Sequence, residues 1–172
     1  MKAYDRRRTA IHEAGHAVIA MHLGVAVAGV YISPSRAKDL LSEKSYIGQT
    51  VFGSSADDNQ YRLICVAGAV AEHVWIARGA PHEYWFDELS EPHSMSPTDW
   101  AGTGCEPGEP DEALIDAAEA VEDLLRGELR PSLIALARKL IEAESRGTED
   151  AVLSVAAMLG HNTADRRAVD FR

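Results

Sequence analysis

Thr9–Ala20 reads TAIHEAGHAVIA: His12 and His16 stand four residues apart, with Glu13 beside the first and small or apolar residues around them. Residues at i and i+4 of a helix share a face, so both imidazoles can be offered to one ion. Glu13 is one position on and rotated by about 100°, and so reaches the same pole without being forced into coordination. This is the HExxH arrangement, in which two histidines bind zinc and the glutamate acts as general base. Zinc lowers the pKa of its water to about 7 and polarises a carbonyl, while the carboxylate takes the proton. The competing reading is a core helix with two satisfied histidines. It must bury Glu13 among apolar neighbours with no obvious cation, which is costly.

Working outward, the pattern predicts a first helix from Asp5 to Leu23, stopped by Gly24. VAVAGVYIS (25–33) then reads as a buried strand and SYIGQTVFG (45–53) as a second, with Gly48 as a bulge, the two pairing as a small antiparallel sheet. Ser54 and Ser55 precede a helix over 56–78, in which Leu63, Val66, Ala67, Val70 and Val74 recur at helical spacing. Residues 81–97 read as irregular, followed by a helical turn after Thr98 and a Gly/Pro-rich loop. Helices are expected over 112–125, 131–145 and 148–159. Residues 1–160 read as a single domain and 161–172 as a tail.

The bulk numbers agree with one aliphatic core. The chain has 172 residues, 46% hydrophobic but only 6% aromatic, which favours helices over a β-sandwich. A net charge of -10 argues against nucleic acid or an anionic membrane as a main partner. The arginines at 6–8 and 166–167 read as solvated helix ends. Two cysteines make no disulfide framework and suit a reducing compartment. MKAYDRRRTA has no export-signal core, so the expectation is a cytoplasmic protein. The uncharged run 14–32 invites a membrane span, but a helix stop and a strand pattern divide it.

A catalytic zinc normally has three protein ligands and one open position. His22 gives HEAGHAVIAMH the outline of HExxHxxGxxH, but Ile19 stands where that motif needs glycine. The helix should therefore continue and carry His22 away, about 240° round and roughly 9 Å along from His16. Glu72 in GAVAEHV is a second candidate, as ligand or as hydrogen-bond acceptor for a ligating histidine. Asp99 in SPTDWAG is a third, while nothing in their spacing singles out His82, His93 or Cys105.

TAIHEAGHAVIA resembles the zinc-peptidase domain of FtsH-type ATP-dependent metalloproteases, in which HEAGHA is typical. GVYISP and YIGQT are similar to that family's two strands, and YRLICVAGAVAEHVWIARG to its helix with an AGxxAE pattern. PTDWAG stands in the place of the NDL segment that supplies an aspartate ligand, and LRPSLIALARKLIEAES resembles the C-terminal helices. The resemblance runs from Arg7 to Leu159 and is specific in HEAGHA. It implies an α+β, mainly α-helical zinc-peptidase domain with an HExxH helix, a small antiparallel sheet and a C-terminal helical bundle. His12, His16 and Asp99 would be the zinc ligands and Glu13 the base, with Glu72 structural or supporting.

There are departures. The family's TTGAxNDL is here SMSPTDW, with extra residues between Gly79 and Ser94. No GxxxxGK[ST] phosphate loop occurs and no membrane anchor precedes the motif, so ATP-driven unfolding is not expected of this chain. Site-2-type intramembrane proteases share HExxH but need several spanning helices. The expectation is a metalloendopeptidase acting on peptides or unfolded protein, with peptide added along the edge of 46–52. A homo-oligomer, or a separate ATPase or adaptor, would serve substrate delivery. The alternative is a non-catalytic zinc-binding interaction or regulatory domain derived from the same fold. Such a domain has no use for Glu13.

Overall fold

The structure, a computed structural model, describes residues 2–35, 45–53, 56–77 and 85–145. The first helix, α1 (Lys2–His22), runs through Ile19 without a break, as its lack of a mid-helix stop requires. It ends where the chain turns left-handed at Gly24, φ 76°. The Gly24 N–H bonds to Met21 O at 3.0 Å and the Val25 N–H to Ala20 O at 2.8 Å. These two bonds satisfy carbonyls the helix end would otherwise leave open, and glycine adopts the turn without a Cβ penalty.

The chain then enters β1 (Val27–Pro34), which pairs antiparallel with β2 (Tyr46–Phe52) in a two-stranded sheet. The register runs from Val27↔Phe52 to Pro34↔Tyr46. The expected bulge at Gly48 is not there: the irregularity falls between Val27 and Gly29, and Gly48 pairs in register with Ile32. Gly48 has a different reason to be glycine. A Cβ on it would lie 2.6 Å from Glu13 Oε1.

α2 (Asp58–Ile76) is started by Asp57 rather than by the serines before it. The Asp57 side chain accepts from the Gln60 N–H at 2.8 Å, and the Gln60 side chain accepts from the Asp57 N–H at 3.1 Å. That reciprocal capping box was readable in DDNQ. α1 and α2 cross at close range because small residues line the crossing. A Cβ on Gly15 would lie 2.5 Å from Ala67 O and 2.6 Å from Ala71 Cβ.

α3 (Trp85–Leu89) is a short helix inside the segment expected to be irregular. Five residues give periodicity nothing to register; burial of Trp85 and Leu89 holds the turn in place. Trp85 Nε1 donates to Glu122 Oε2 at 2.5 Å, and Arg126 Nε donates to Glu122 Oε1 at 2.6 Å, so the buried carboxylate is partnered. α4 (Pro97–Thr103), α5 (Glu112–Arg126) and α6 (Arg130–Ser145) complete the described helices.

The C-terminal pair is not a bundle of its own over the described residues. α5 packs mainly on α2, and α6 mainly on α1, with little contact between α5 and α6. One hydrophobic cluster runs through all of these layers; it is mostly Ala, Val, Leu and Ile, as the composition requires, with Trp85 and Trp100 its aromatic members. The fold is α+β and mainly helical. Among the described residues no helix is long and apolar enough to cross a membrane. The expected helix over 148–159, the tail, His82 and the arginines at 166–167 lie outside the described residues.

Candidate metal centre

His12 and His16 lie one turn apart on α1, on the side facing α2. Each ring is oriented by an acceptor on that helix. His12 Nδ1 donates to Glu72 Oε1 at 2.8 Å and His16 Nδ1 to Ile64 O at 2.6 Å. A carbonyl and an ionised carboxylate can only accept, so both Nδ1 atoms carry hydrogen, and in the neutral ring each Nε2 keeps its lone pair. Those lone pairs converge: the two Nε2 atoms are 3.0 Å apart. Gly68 makes this possible on the α2 side, where a Cβ would lie 2.5 Å from His16 Nε2 and 2.6 Å from His12 Nε2.

Asp99 closes the cluster from α4. Its Oδ2 is 3.5 Å from His12 Nε2 and its Oδ1 is 3.5 Å from His16 Nε2. Ser96 caps α4, accepting from the Asp99 N–H at 3.1 Å and donating its own hydrogen to Asp99 Oδ2 at 2.7 Å. The cap thus aims the carboxylate as well as starting the helix, and Pro97 in the first turn presets the backbone. Trp100 locks the same turn by donating from Nε1 to Pro92 O at 3.0 Å. One donor atom from each of His12, His16 and Asp99 falls within 4.8 Å of the others.

The electrostatics follow from that convergence. Burial works against a charged His12, but hydrogen bonds to Asp99 and Glu72 outweigh it and hold the ring's pKa at about 10. His16 moves the other way, lowered by burial and by the charge on His12. Burial would raise Asp99, yet the hydrogen bond from His12 and the two ring charges draw it down to about 2. Burial opposes ionisation of Glu72 as well, and the bonds and charges of His12 and Arg8 overcome it. Two imidazole lone pairs and a carboxylate meeting at one point require a positive charge. In the metal-free protein a proton on His12 supplies it, and the donor set, two nitrogens and an oxygen, fits a divalent metal of the zinc type.

Glu13 is buried beside this cluster, at 6% exposure. Its partner comes from β2: Thr50 Oγ1 lies 2.7 Å from Glu13 Oε2 and 3.0 Å from Glu13 O. Thr50 and Gly48 sit two apart on the strand, on the face turned to α1, so one holds the carboxylate and the other leaves room for it. Sequence reasoning missed both roles. It also missed Ser96, although Ser-Pro-Thr-Asp carries the spacing of an N-terminal cap.

The remaining candidates among the described residues separate from the cluster. His22 is exposed, with its Nδ1 3.7 Å from Glu128 Oε1 at the far end of α1. His93 is largely exposed beside Glu91. Cys105 is a free thiol in the loop after α4. The Cys65 thiol is pushed up to about 12, by burial first and by the Asp99 charge second, and stays protonated. Glu72 stands behind His12 rather than at the point of convergence. No family model matches the chain, and a search of curated proteins finds no match.

Proposed function

We propose that the chain is a zinc-dependent metalloendopeptidase, with His12, His16 and Asp99 as metal ligands and Glu13 as general base. One observation carries the reading: three electron-rich side-chain donors meet within 4.8 Å, beside a buried glutamate that is not one of them. A structural zinc takes four protein ligands, whereas the three found among the described residues leave the open position a reaction needs. Bound zinc would supply Lewis acidity, polarising a substrate carbonyl and acidifying water. Glu13 accepts the proton of the attacking water on its carboxylate and passes it to the departing amine. Thr50 keeps that carboxylate turned towards the work. β2 pairs only with β1 among the described residues, so its other edge can receive an extended peptide by strand addition.

The reading of a non-catalytic zinc domain gives no purpose to Glu13 or to the strand residues built around it. Metal analysis of the purified protein, followed by a fluorogenic-peptide assay, separates the two. Zinc at one per chain with cleavage, retained zinc without cleavage in Glu13→Gln, and loss of zinc in Asp99→Ala are the expected results. Cleavage that persists in Glu13→Gln sinks the mechanism, and a protein that takes up no zinc sinks the metal centre.

A further inference from the structure

Arg8 lies one turn before His12 on α1, so Arg8, His12 and His16 form a stripe at i, i+4 and i+8. Arg8 does not point away into solvent as an arginine run at a helix end suggests. Its Nε donates to Glu72 Oε2, while the other oxygen of the same carboxylate accepts from His12 Nδ1. Both oxygens of Glu72 are thereby occupied, one by each member of the stripe. A carboxylate held at one oxygen can still swing about its last bond; held at both, it fixes the plane and tautomer of the imidazole it supports. Glu72 is 13% exposed and Arg8 47%, so the clamp reaches from the protein surface to the edge of the cluster.

We propose that Arg8 is a positioning residue of the metal centre, holding His12 in its ligating orientation through Glu72. This role rests on the zinc reading above and adds to it a residue that touches neither metal nor substrate. The histidine helix brings its own support: α2 contributes one carboxylate, and α1 clamps it from both sides. Of the three arginines in the run, Arg6 pairs with Glu144 on α6, while Arg8 is the one that reaches Glu72.

The test is zinc affinity, measured by competition with a chromophoric chelator on the full chain. Arg8→Met keeps the aliphatic stem and removes the donor. It should weaken zinc binding about 5-fold, the scale of a partly exposed ion pair, while Glu72→Ala should weaken it about 10- to 100-fold. Arg8→Lys should recover most of the loss. In the Glu72→Ala background Arg8→Met should cost nothing more, since its route to His12 is gone; a merely structural arginine would cost the same in both backgrounds. Wild-type affinity in Arg8→Met, or an undiminished loss in the Glu72→Ala background, overturns the role and leaves the metal centre standing. A wild type that binds no zinc overturns the metal centre and this role with it.

Discussion

At the scale of single residues, the site is a set of side chains each held by a partner that leaves it one orientation. Thr50 shows the consequence for Glu13. Thr50→Val keeps shape and removes the hydroxyl, and loss of a hydrogen bond to a charged group should lower kcat about 10-fold. Zinc content should stay unchanged; a parallel fall in zinc would mean that Thr50 supports the fold rather than the base. The proposed ligands give a pH signature. His12 has its pKa raised from 6.5 to about 10 in the metal-free protein, so the folded state keeps a proton that the unfolded chain releases. That contribution is complete below pH 6.5 and drains away as pH rises towards 10. Asp99, lowered from 3.8 to about 2, contributes above pH 3.8 and loses its share as pH falls towards 2. Thermal midpoints of metal-free protein should therefore decline from pH 6.5 to 10. Zinc, which displaces the proton, should flatten the decline. Identical slopes with and without zinc would remove His12 from the ligand set.

At the scale of elements, the crossing of α1 and α2 fixes the distance between the histidines and their supports. Gly15→Ala replaces the poorest interior helix former but Pro with the best one, a gain of about 1 kcal/mol in an isolated helix. Here the new methyl would meet Ala67 O and Ala71 Cβ at 2.5 and 2.6 Å. Overpacking of this kind costs about 1–3 kcal/mol, so the substitution should destabilise in urea; a stabilised variant would show that the crossing has slack. The elements were largely legible because helical spacing and strand alternation leave strong marks in this chain. Ile19 is a clear case: with no glycine there, α1 had to continue and carry His22 away, and it does. What escaped depends on contacts between distant segments. Gly48 looks like a bulge from its own strand, and only the neighbouring helix reveals Glu13 against it. Arg8 looks solvated until Glu72, 64 positions away, is placed beside it. α3 escaped because one turn is too short for periodicity and is held by a tryptophan whose partner, Glu122, lies 37 positions on. Asp99 stood as one candidate among three until the resemblance favoured it; its aim depends on Ser96 and Trp100, which no spacing rule ties to a histidine on another helix.

At the scale of the whole molecule, the groups around one point come from α1, α2, α4 and β2, and they meet only when those elements share a core. A ligand that binds the folded state alone raises its stability by mass action, about 2.7 kcal/mol at a hundredfold excess over Kd. For a chain of this size zinc should raise the thermal midpoint by roughly 5–10 °C at that excess, and a chelator should reverse the shift. A midpoint indifferent to both would show that the donors do not bind together. The cap at Ser96 gives this dependence an unexpected use. Its hydroxyl can aim Asp99 only after residues 96–99 have closed into the first turn of α4, which Trp100 secures against Pro92. A chain in which that turn is open would lack the third donor of the cluster. Under the proposed function, cleavage would therefore wait on the docking of α4, and a chain whose turn at 96–99 has not closed would not cut its neighbours.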